Sequence, residues 1–471
     1  MPERQIYLLS PRQLSAETIA VTFAKTSRSP QSFREIAAEL NEEQSARFHE
    51  KWVIGYGHAS VAEHAVLHIA FENVSRLAVE CIESNRLASY TEKSTRYQTW
   101  SLDEFYLPPE IESSPLRAPY LETTRLLFQT YQEILPALRA CIEKRSPRRE
   151  NETAEAWDRR VRSQYVDAAR FLLPASALAN LGMTANARVL EHAIRKMLSH
   201  PLQEVRQVGE QVKKVAQQEV PTLLKYADAS SYLQNLEEYF PAQAANLSSS
   251  AAPTDWCVLI QYDEDAEARL LAAALYRYGN LSYAEALQAV REGPEAQRRE
   301  WAQALLKGVN RHRPPLRELE HTFYTFDLLM DQGAYFEFKR HRMMTQSPQR
   351  LTASLGYATP QLIREAGVEA AYHRAMQQAA ETYQRLAEWN PHVAQYIVPN
   401  GFYRRVLATF NLREAYHFCQ LRAASNAHFS MRRLALRIAA EIRRVHPLLA
   451  SAMDLPAESW QDIEARYFAQ A

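Results

Sequence analysis

Short apolar runs punctuate long stretches of helical periodicity along the chain. Ile6-Tyr7-Leu8-Leu9-Ser10 predicts a short strand, followed by a helix starting near Ser15. Val258-Leu259-Ile260-Gln261-Tyr262 predicts the same strand again, followed by a helix from about Asp263. Val66 to Phe71 and Thr322 to Phe326 alternate as strands do. Leu202 to Val220 and Leu407 to Val445 carry helical spacing, and Pro221 predicts a stop to the first of these.

These signals recur in the same order, which marks an internal repeat. A Glu-His pair precedes each alternating strand, at Glu63-His64 and Glu320-His321, an offset of 257. The first strands are offset by 252. Ser84-Asn85-Arg86 and Arg340-His341-Arg342 are offset by 256. Thr184-Ala185-Asn186-Ala187-Arg188 matches Thr409-Phe410-Asn411-Leu412-Arg413 at only 225. The fall implies roughly 30 extra residues in the first copy, expected in the charged stretch Lys144 to Glu152 as a solvated loop. The expected fold class is α+β: two tandem copies of a helix-rich domain, each with a small antiparallel sheet. The first repeat spans 1–240. An Ala- and Ser-rich linker, 241–253, includes Ser248-Ser249-Ser250, and the second repeat spans 254–471.

Composition then removes several function classes. The 471 residues carry 55 Lys+Arg against 55 Asp+Glu, a net charge of +0, whereas a broad nucleic-acid or membrane footprint calls for a basic excess. No run of about 18 apolar residues appears, so no membrane span is expected, and the reading is a soluble cytoplasmic protein. Cys81, Cys141, Cys257 and Cys419 show no CxxC spacing, so neither a metal site nor a disulfide framework is expected. Neither GxGxxG nor GxxxxGK[ST] occurs.

More specific chemistry lies in the repeat motifs. In the first copy, His58-Ala59-Ser60-Val61-Ala62-Glu63-His64 leads to Arg86-Leu87-Ala88-Ser89-Tyr90-Thr91-Glu92-Lys93-Ser94-Thr95-Arg96-Tyr97. This resembles the signature of flavin-dependent thymidylate synthases: an Arg-His-Arg triplet, then a Ser, an Asn-Glu pair, a Ser and an Arg-Tyr pair at fixed spacing. The first copy keeps Ser89, Glu92, Ser94, Arg96 and Tyr97 but has Ser84 and Asn85 in the triplet and Thr91 for Asn. The second copy keeps the triplet Arg340-His341-Arg342 but has Pro348, Arg350 and Thr352 where the family has Glu, Ser and Arg. The family's arginine before a Leu-Pro turn is matched by Arg170 ahead of Leu173-Pro174, whereas Gln395 precedes Val398-Pro399. Its Leu-Arg on the last long helix is matched by Leu421-Arg422, whereas Met197 fills that place in the first copy. Glu337 stands where the family has a glutamine three residues before the triplet, and Pro315 and Arg317 stand where the first copy has His58 and Ser60.

The resemblance implies methylation of deoxyuridine monophosphate at C5 to give thymidylate, with FAD as cofactor and methylenetetrahydrofolate and NADPH as cosubstrates. It implies nucleotide contacts from Glu92, Ser94, Arg96, Arg170, Arg340 and Arg422. It implies flavin contacts from Arg340, His341 and Arg342; from Asn186, Arg188 and His192; from Asn411, Arg413 and His417; and from Ser60 and Glu63. It implies no protein nucleophile, and a homodimer in which four repeats form a pseudo-tetramer. Arginine suits such ligands because its planar fork makes paired, charge-assisted hydrogen bonds to phosphate. Asn411 and Arg422 are about three helical turns apart and so share a face.

Plainer readings stand beside these. Glu92 and Arg96 have i,i+4 helix spacing, worth about 0.3 kcal/mol as a surface pair. Arg413 and His417 read as a solvated helix face, His64 and His321 as core histidines, and Met343-Met344 as core. Two other functions fit the same motifs: a non-catalytic flavin- or nucleotide-binding pseudoenzyme, and a flavoenzyme methylating a different pyrimidine.

Overall fold

The computed structural model describes residues 5–27, 29–96, 98–247, 255–310 and 312–469. Tyr97, Ser248-Ser249-Ser250 with the rest of the linker to 253, and Arg311 lie outside them. The fold is α+β, and the chain forms two compact units. The first comprises Met1–Ser94, Glu104–Arg117 and Ser176–Ser250; the second comprises Thr95–Asp103, Ala118–Ala175 and Ala251–Ala471.

The first unit holds a three-stranded antiparallel sheet of order β1-β3-β2, with β1 Val66–Ser75, β2 Ala88–Glu92 and β3 Leu178–Asn186. Ala179, Leu181, Met183 and Ala185 of β3 point into the core at period two, which fixes the register Val66↔Asn186 and Ala88↔Ala185. The second unit holds a four-stranded antiparallel sheet of order β4-β5-β7-β6, with β4 Cys257–Tyr262, β5 Tyr324–Asp331, β6 Thr345–Pro348 and β7 Tyr403–Phe410. Here Arg404, Val406, Ala408 and Phe410 of β7 face inward.

Strand order β1-β3-β2 in one unit is β5-β7-β6 in the other, and the helix starts repeat as well. Ser75 and Asp331 end equivalent strands and cap the next helix: Ser75 Oγ accepts from Ala78 N at 2.9 Å, and Asp331 Oδ1 from Ala334 N at 2.8 Å. Asn186 and Asn411 do the same for helices Ala187–Leu198 and Leu412–Arg422, accepting from Val189 N at 3.0 Å and Glu414 N at 2.8 Å. Each such cap stabilises its helix by about 1 kcal/mol.

Four sequence expectations are corrected. Residues 5–10 form no strand, and Ile6 and Leu8 are exposed; an apolar run predicts a strand only if a sheet edge is there to pair with, as β5 pairs with β4. The span 407–445 is not one helical stretch: Leu407 to Phe410 finish β7, and helix Leu412–Arg422 is separated from helix Phe429–Val445. The extra length of the first copy is largely helical. Helix Arg117–Arg145 takes Lys144 and Arg145, and helix Ala154–Ala169 follows, leaving only 146–153 as the loop. Helix Gln203–Ala216 stops before Pro221 rather than at it.

The compact units do not follow the repeat boundaries. Residues 95–103 and 118–175 belong to the first repeat by sequence, yet they build the second unit. Thr123 Oγ1 meets Thr382 Oγ1 at 2.7 Å there. Leu173-Pro174 and Val398-Pro399 pair as antiparallel backbone, bridging Pro174 to Pro399. Ala175 N donates to Val398 O at 3.0 Å, and Asn400 N donates to Leu173 O at 2.9 Å. At the offset of 225, residues 173 and 398, and 175 and 400, are each other's counterparts. The two turns therefore meet with local two-fold symmetry.

Candidate functional site: an arginine cluster in the second unit

Helix Ala154–Ala169 ends at Arg170, which opens a single tight turn, Arg170–Leu172. Pro174 keeps Leu173 extended, so the chain leaves the turn toward 398–400 and leaves the Arg170 side chain buried beneath it. Asn400 Nδ2 donates to Arg170 O at 3.0 Å and fixes that end of the helix.

Arg170 faces Glu337, in the last turn of helix Gln332–Phe338. Arg170 Nη2 donates to Glu337 Oε1 at 3.1 Å, and Arg170 Nη1 to Thr95 Oγ1 at 3.3 Å. Arg422 closes helix Leu412–Arg422, where the unsatisfied carbonyls of a helix end favour a cation. Its Nη1 donates to Glu337 Oε2 at 3.1 Å, its Nη2 to Glu337 O at 3.1 Å, and its Nε to His341 Nε2 at 2.9 Å. Arg96 lies in the same unit and makes a two-pronged pair with Asp167, Nε and Nη2 each at 2.7 Å from a carboxylate oxygen; its Nη1 donates to Asn426 O at 2.9 Å.

Because His341 Nε2 accepts from Arg422, the imidazole proton sits on Nδ1 and is donated to Glu414 Oε1 at 3.1 Å. Burial drives the His341 pKa well below its ordinary value, and the Arg422 charge adds to this, so the ring is neutral. Burial would raise the Glu337 carboxyl, but Arg170, Arg422 and Arg96 outweigh it and hold it below the ordinary 4.5, so it is ionised at neutral pH.

Glu414 behaves oppositely, pushed up to about 7 chiefly by burial. Its folded-state pKa lies above its ordinary 4.5, so the folded chain holds that proton more tightly than the unfolded chain does. The resulting stabilisation is full below about pH 4.5 and is lost as pH rises through 7. Glu414→Gln keeps an acceptor for His341 Nδ1–H and removes the titration. Its melting temperature relative to the unsubstituted protein is expected to rise between pH 5 and pH 8, as read by thermal melts; a gap independent of pH would contradict the assignment.

The structure brings together Arg96, Arg170, His341 and Arg422. Of the other triplet residues, Arg340 is exposed and Arg342 half-buried, with Gln346 Nε2 tying down the turn through His341 O at 3.0 Å. Asn411 is a helix cap, Arg413 pairs with Glu320 at 3.0 Å, and His417 is exposed one turn away. Met344 is core and Met343 is not.

Glu92 and Ser94 belong to the first unit. Glu92 ends β2 rather than sitting on a helix with Arg96, and its fully buried carboxylate pairs with Arg76 at 2.9 Å. Ser94 is half-buried. Also in the first unit, Arg188 pairs with Glu63 at 2.5 Å, the counterpart of the Arg413–Glu320 pair, while His192 is exposed. Ser60 lines a cavity of about 550 Å³ walled by Trp52, His58 and His64. His64 and His321 are both exposed, so neither is a core histidine.

Sequence reasoning missed Asp167, Glu414, Thr95 and His428. His428 is buried, with Nε2 meeting Asp167 O at 3.2 Å. The Asn411-x-x-Glu414 spacing resembles a capping box, but Glu414 turns to His341 instead. Asp167 stands one turn before Arg170 and carries no motif of its own.

The sequence profile of the Thy1 family, thymidylate synthase complementing protein, matches residues 10–222 and again residues 258–448. The chain belongs to the Thy1 family. Each Thy1 match spans one of the two sheets, β1 to β3 or β5 to β7. A UPF0159 protein of Chlamydia muridarum (strain MoPn / Nigg) is 30% identical over 447 residues, covering 90% of this chain and 84% of its own length, so the likeness extends over both Thy1 matches. A flavin-dependent thymidylate synthase of Clostridium tetani (strain Massachusetts / E88) is 27% identical over 225 residues, 47% of this chain and 86% of the relative. A crystal structure of a flavin-dependent thymidylate synthase from Helicobacter pylori complexed with FAD and dUMP covers 43% of this chain and 100% of its own at 19% identity, with a TM-score of 0.32, too weak a likeness to place a ligand.

Proposed function

We propose that this chain is an FAD-dependent enzyme that methylates deoxyuridine monophosphate at C5 to give thymidylate, with methylenetetrahydrofolate and NADPH as cosubstrates. One observation carries the reading. Arg170 from the first Thy1 match and Arg422 from the second converge on one half-buried carboxylate in one compact unit, with Arg96 beside Asp167 in the same unit. Guanidinium forks in a partly dry site suit a phosphate-bearing ligand. His341, kept neutral between Arg422 and Glu414, orients Arg422 and carries a fixed proton on Nδ1.

The residues present fit a flavin. Ser60 lines a cavity whose walls include the flat rings of Trp52 and His64, and the exposed Arg188, paired with Glu63, and the half-buried Arg413, paired with Glu320, stand beside helix starts capped by Asn186 and Asn411. Ser60, Glu63, Asn186, Arg188 and His192 would hold it in one unit; the triplet 340–342 with Asn411, Arg413 and His417 would do so in the other. When bound, FAD supplies the redox and one-carbon transfer chemistry. No side chain is assigned as a nucleophile. We further propose that two chains associate, so that four copies build the assembly and half of the sites are complete. The two-fold meeting of 173–175 with 398–400 supports copies packing as subunits would.

Glu337 favours a second reading, methylation of a pyrimidine that lacks a phosphate monoester. Complementation of a thymidine-requiring strain tests the first. Growth is expected with the unsubstituted chain and not with Arg422→Ala or Arg340→Ala, and the purified protein is expected to be yellow. Growth that survives Arg422→Ala, or a colourless protein without thymidylate formation, would overturn the proposal.

A further inference from the structure

Three guanidinium groups gather in the second unit, and two carboxylates already meet them. Asp167 takes two donors of Arg96. Glu337 takes one Nη from each of Arg170 and Arg422, each at 3.1 Å, with one carboxylate oxygen apiece. That is the bridging geometry a phosphate would adopt between the same two forks. The Arg422 fork is further engaged by Glu337 O and His341 Nε2. Arg170 Nε is buried and has no hydrogen-bond partner among the described residues. The Glu337 side chain is 12% exposed and that of Arg422 17%, so the cluster is reached from solvent at this point.

We propose that Glu337 is a specificity-determining residue of the pyrimidine site: its carboxylate holds the guanidinium faces that a phosphate monoester needs, so the site discriminates little between a pyrimidine nucleoside and its monophosphate. The inference rests on the proposed function only in taking the ligand to be a pyrimidine nucleoside or nucleotide. Charge explains it. Asp167 and Glu337 already offset two of the guanidinium charges, and a phosphate monoester brings nearly two negative charges beside an ionised Glu337 in a partly dry site, where like charges repel more strongly than in water. A nucleoside hydroxyl meets no such repulsion and can donate to the carboxylate. Glu337→Gln keeps the shape and one acceptor while releasing two guanidinium charges.

Binding of inorganic phosphate, deoxyuridine and deoxyuridine monophosphate to the full chain and to Glu337→Gln, by calorimetry, tests this. Inorganic phosphate is expected to bind Glu337→Gln at least 10-fold more tightly than the unsubstituted chain. Deoxyuridine and its monophosphate are expected to bind the unsubstituted chain within about 3-fold of each other, and the monophosphate is expected to gain at least 10-fold in the variant. Equal phosphate affinity in the two proteins, or a monophosphate preference of 100-fold in the unsubstituted chain, overturns the inference. If Glu337→Gln does not fold, Glu337→Ala, which removes both the charge and the span between the arginines, takes its place with a gain of at least 10-fold expected; no gain in phosphate affinity overturns the inference equally. A phosphate gain with neither pyrimidine bound supports the carboxylate's role and counts against the proposed function instead, so the two fail separately.

Discussion

Replacing Arg170 with alanine is expected to lower the free energy of unfolding by about 2–4 kcal/mol at neutral pH. Its side chain is 4% exposed and bonded to Glu337 and Thr95, so solvent screening gives little relief. Breaking a buried pair costs about 3–5 kcal/mol because it leaves a charge without its counter-ion; here Arg422 still holds Glu337, which places the loss toward the lower end. The pH dependence identifies the mechanism. In the unsubstituted chain Glu337 is held below its ordinary value, so its pairing stabilises the fold above about pH 4.5 and is lost only as pH falls through that depressed value. In Arg170→Ala the largest opposing charge is gone and burial raises the carboxyl, so mild acid protonates it and removes the penalty. Urea denaturation at pH 7 and pH 4.5 should show the deficit shrinking on acidification. A deficit constant across that range would mean that Arg170 acts by packing alone.

Phe171→Ala is expected to cost about 3–5 kcal/mol, the usual range for emptying a fully buried aromatic position. The Phe171 ring is wholly buried and stacks on Phe429 at 5.7 Å with an interplanar angle of 6°, and on His428 at 5.8 Å. It also abuts Gly401, where an added Cβ would lie 3.2 Å from Phe171 Cδ1, and its carbonyl accepts from Gly401 N at 2.8 Å. Residues on both sides of the paired turns thus close around one ring, next to Arg170 in sequence. Thermal melts should show Phe171→Leu recovering part of the loss, and ligand affinity should fall along with stability in Phe171→Ala. A loss under about 1 kcal/mol would show that the site collapses without cost, contrary to its close packing.

What the sequence revealed follows the range of the interactions concerned. The duplication was legible because local signals recur at fixed offsets: alternating strands β1 and β5, and the Asn-x-Arg motifs whose Asn186 and Asn411 cap helices. The convergence of Arg170 and Arg422 was reachable only through the family resemblance, since they lie on different copies. Long-range partners left no local trace. Nothing in Ser89-Tyr90-Thr91-Glu92 announces that Glu92 is buried against Arg76, and nothing in Val166-Asp167 announces that Asp167 meets Arg96. The missing strand at residues 5–10 and the strand hidden at 407–410 fail for a related reason. Period alone does not say whether a sheet edge is available, or where a strand gives way to the helix capped by Asn411.

The paired turns at Leu173-Pro174 and Val398-Pro399 bear on how such a chain diverges. In an assembly of identical subunits, a surface astride a two-fold axis must fit itself, and every substitution is felt twice. Once both halves of that surface are encoded separately, each change is felt once and can be answered on the opposite side alone. Gln395 in the place matched by Arg170, and Met197 in the place matched by Arg422, are the kind of one-sided departures that fusion permits.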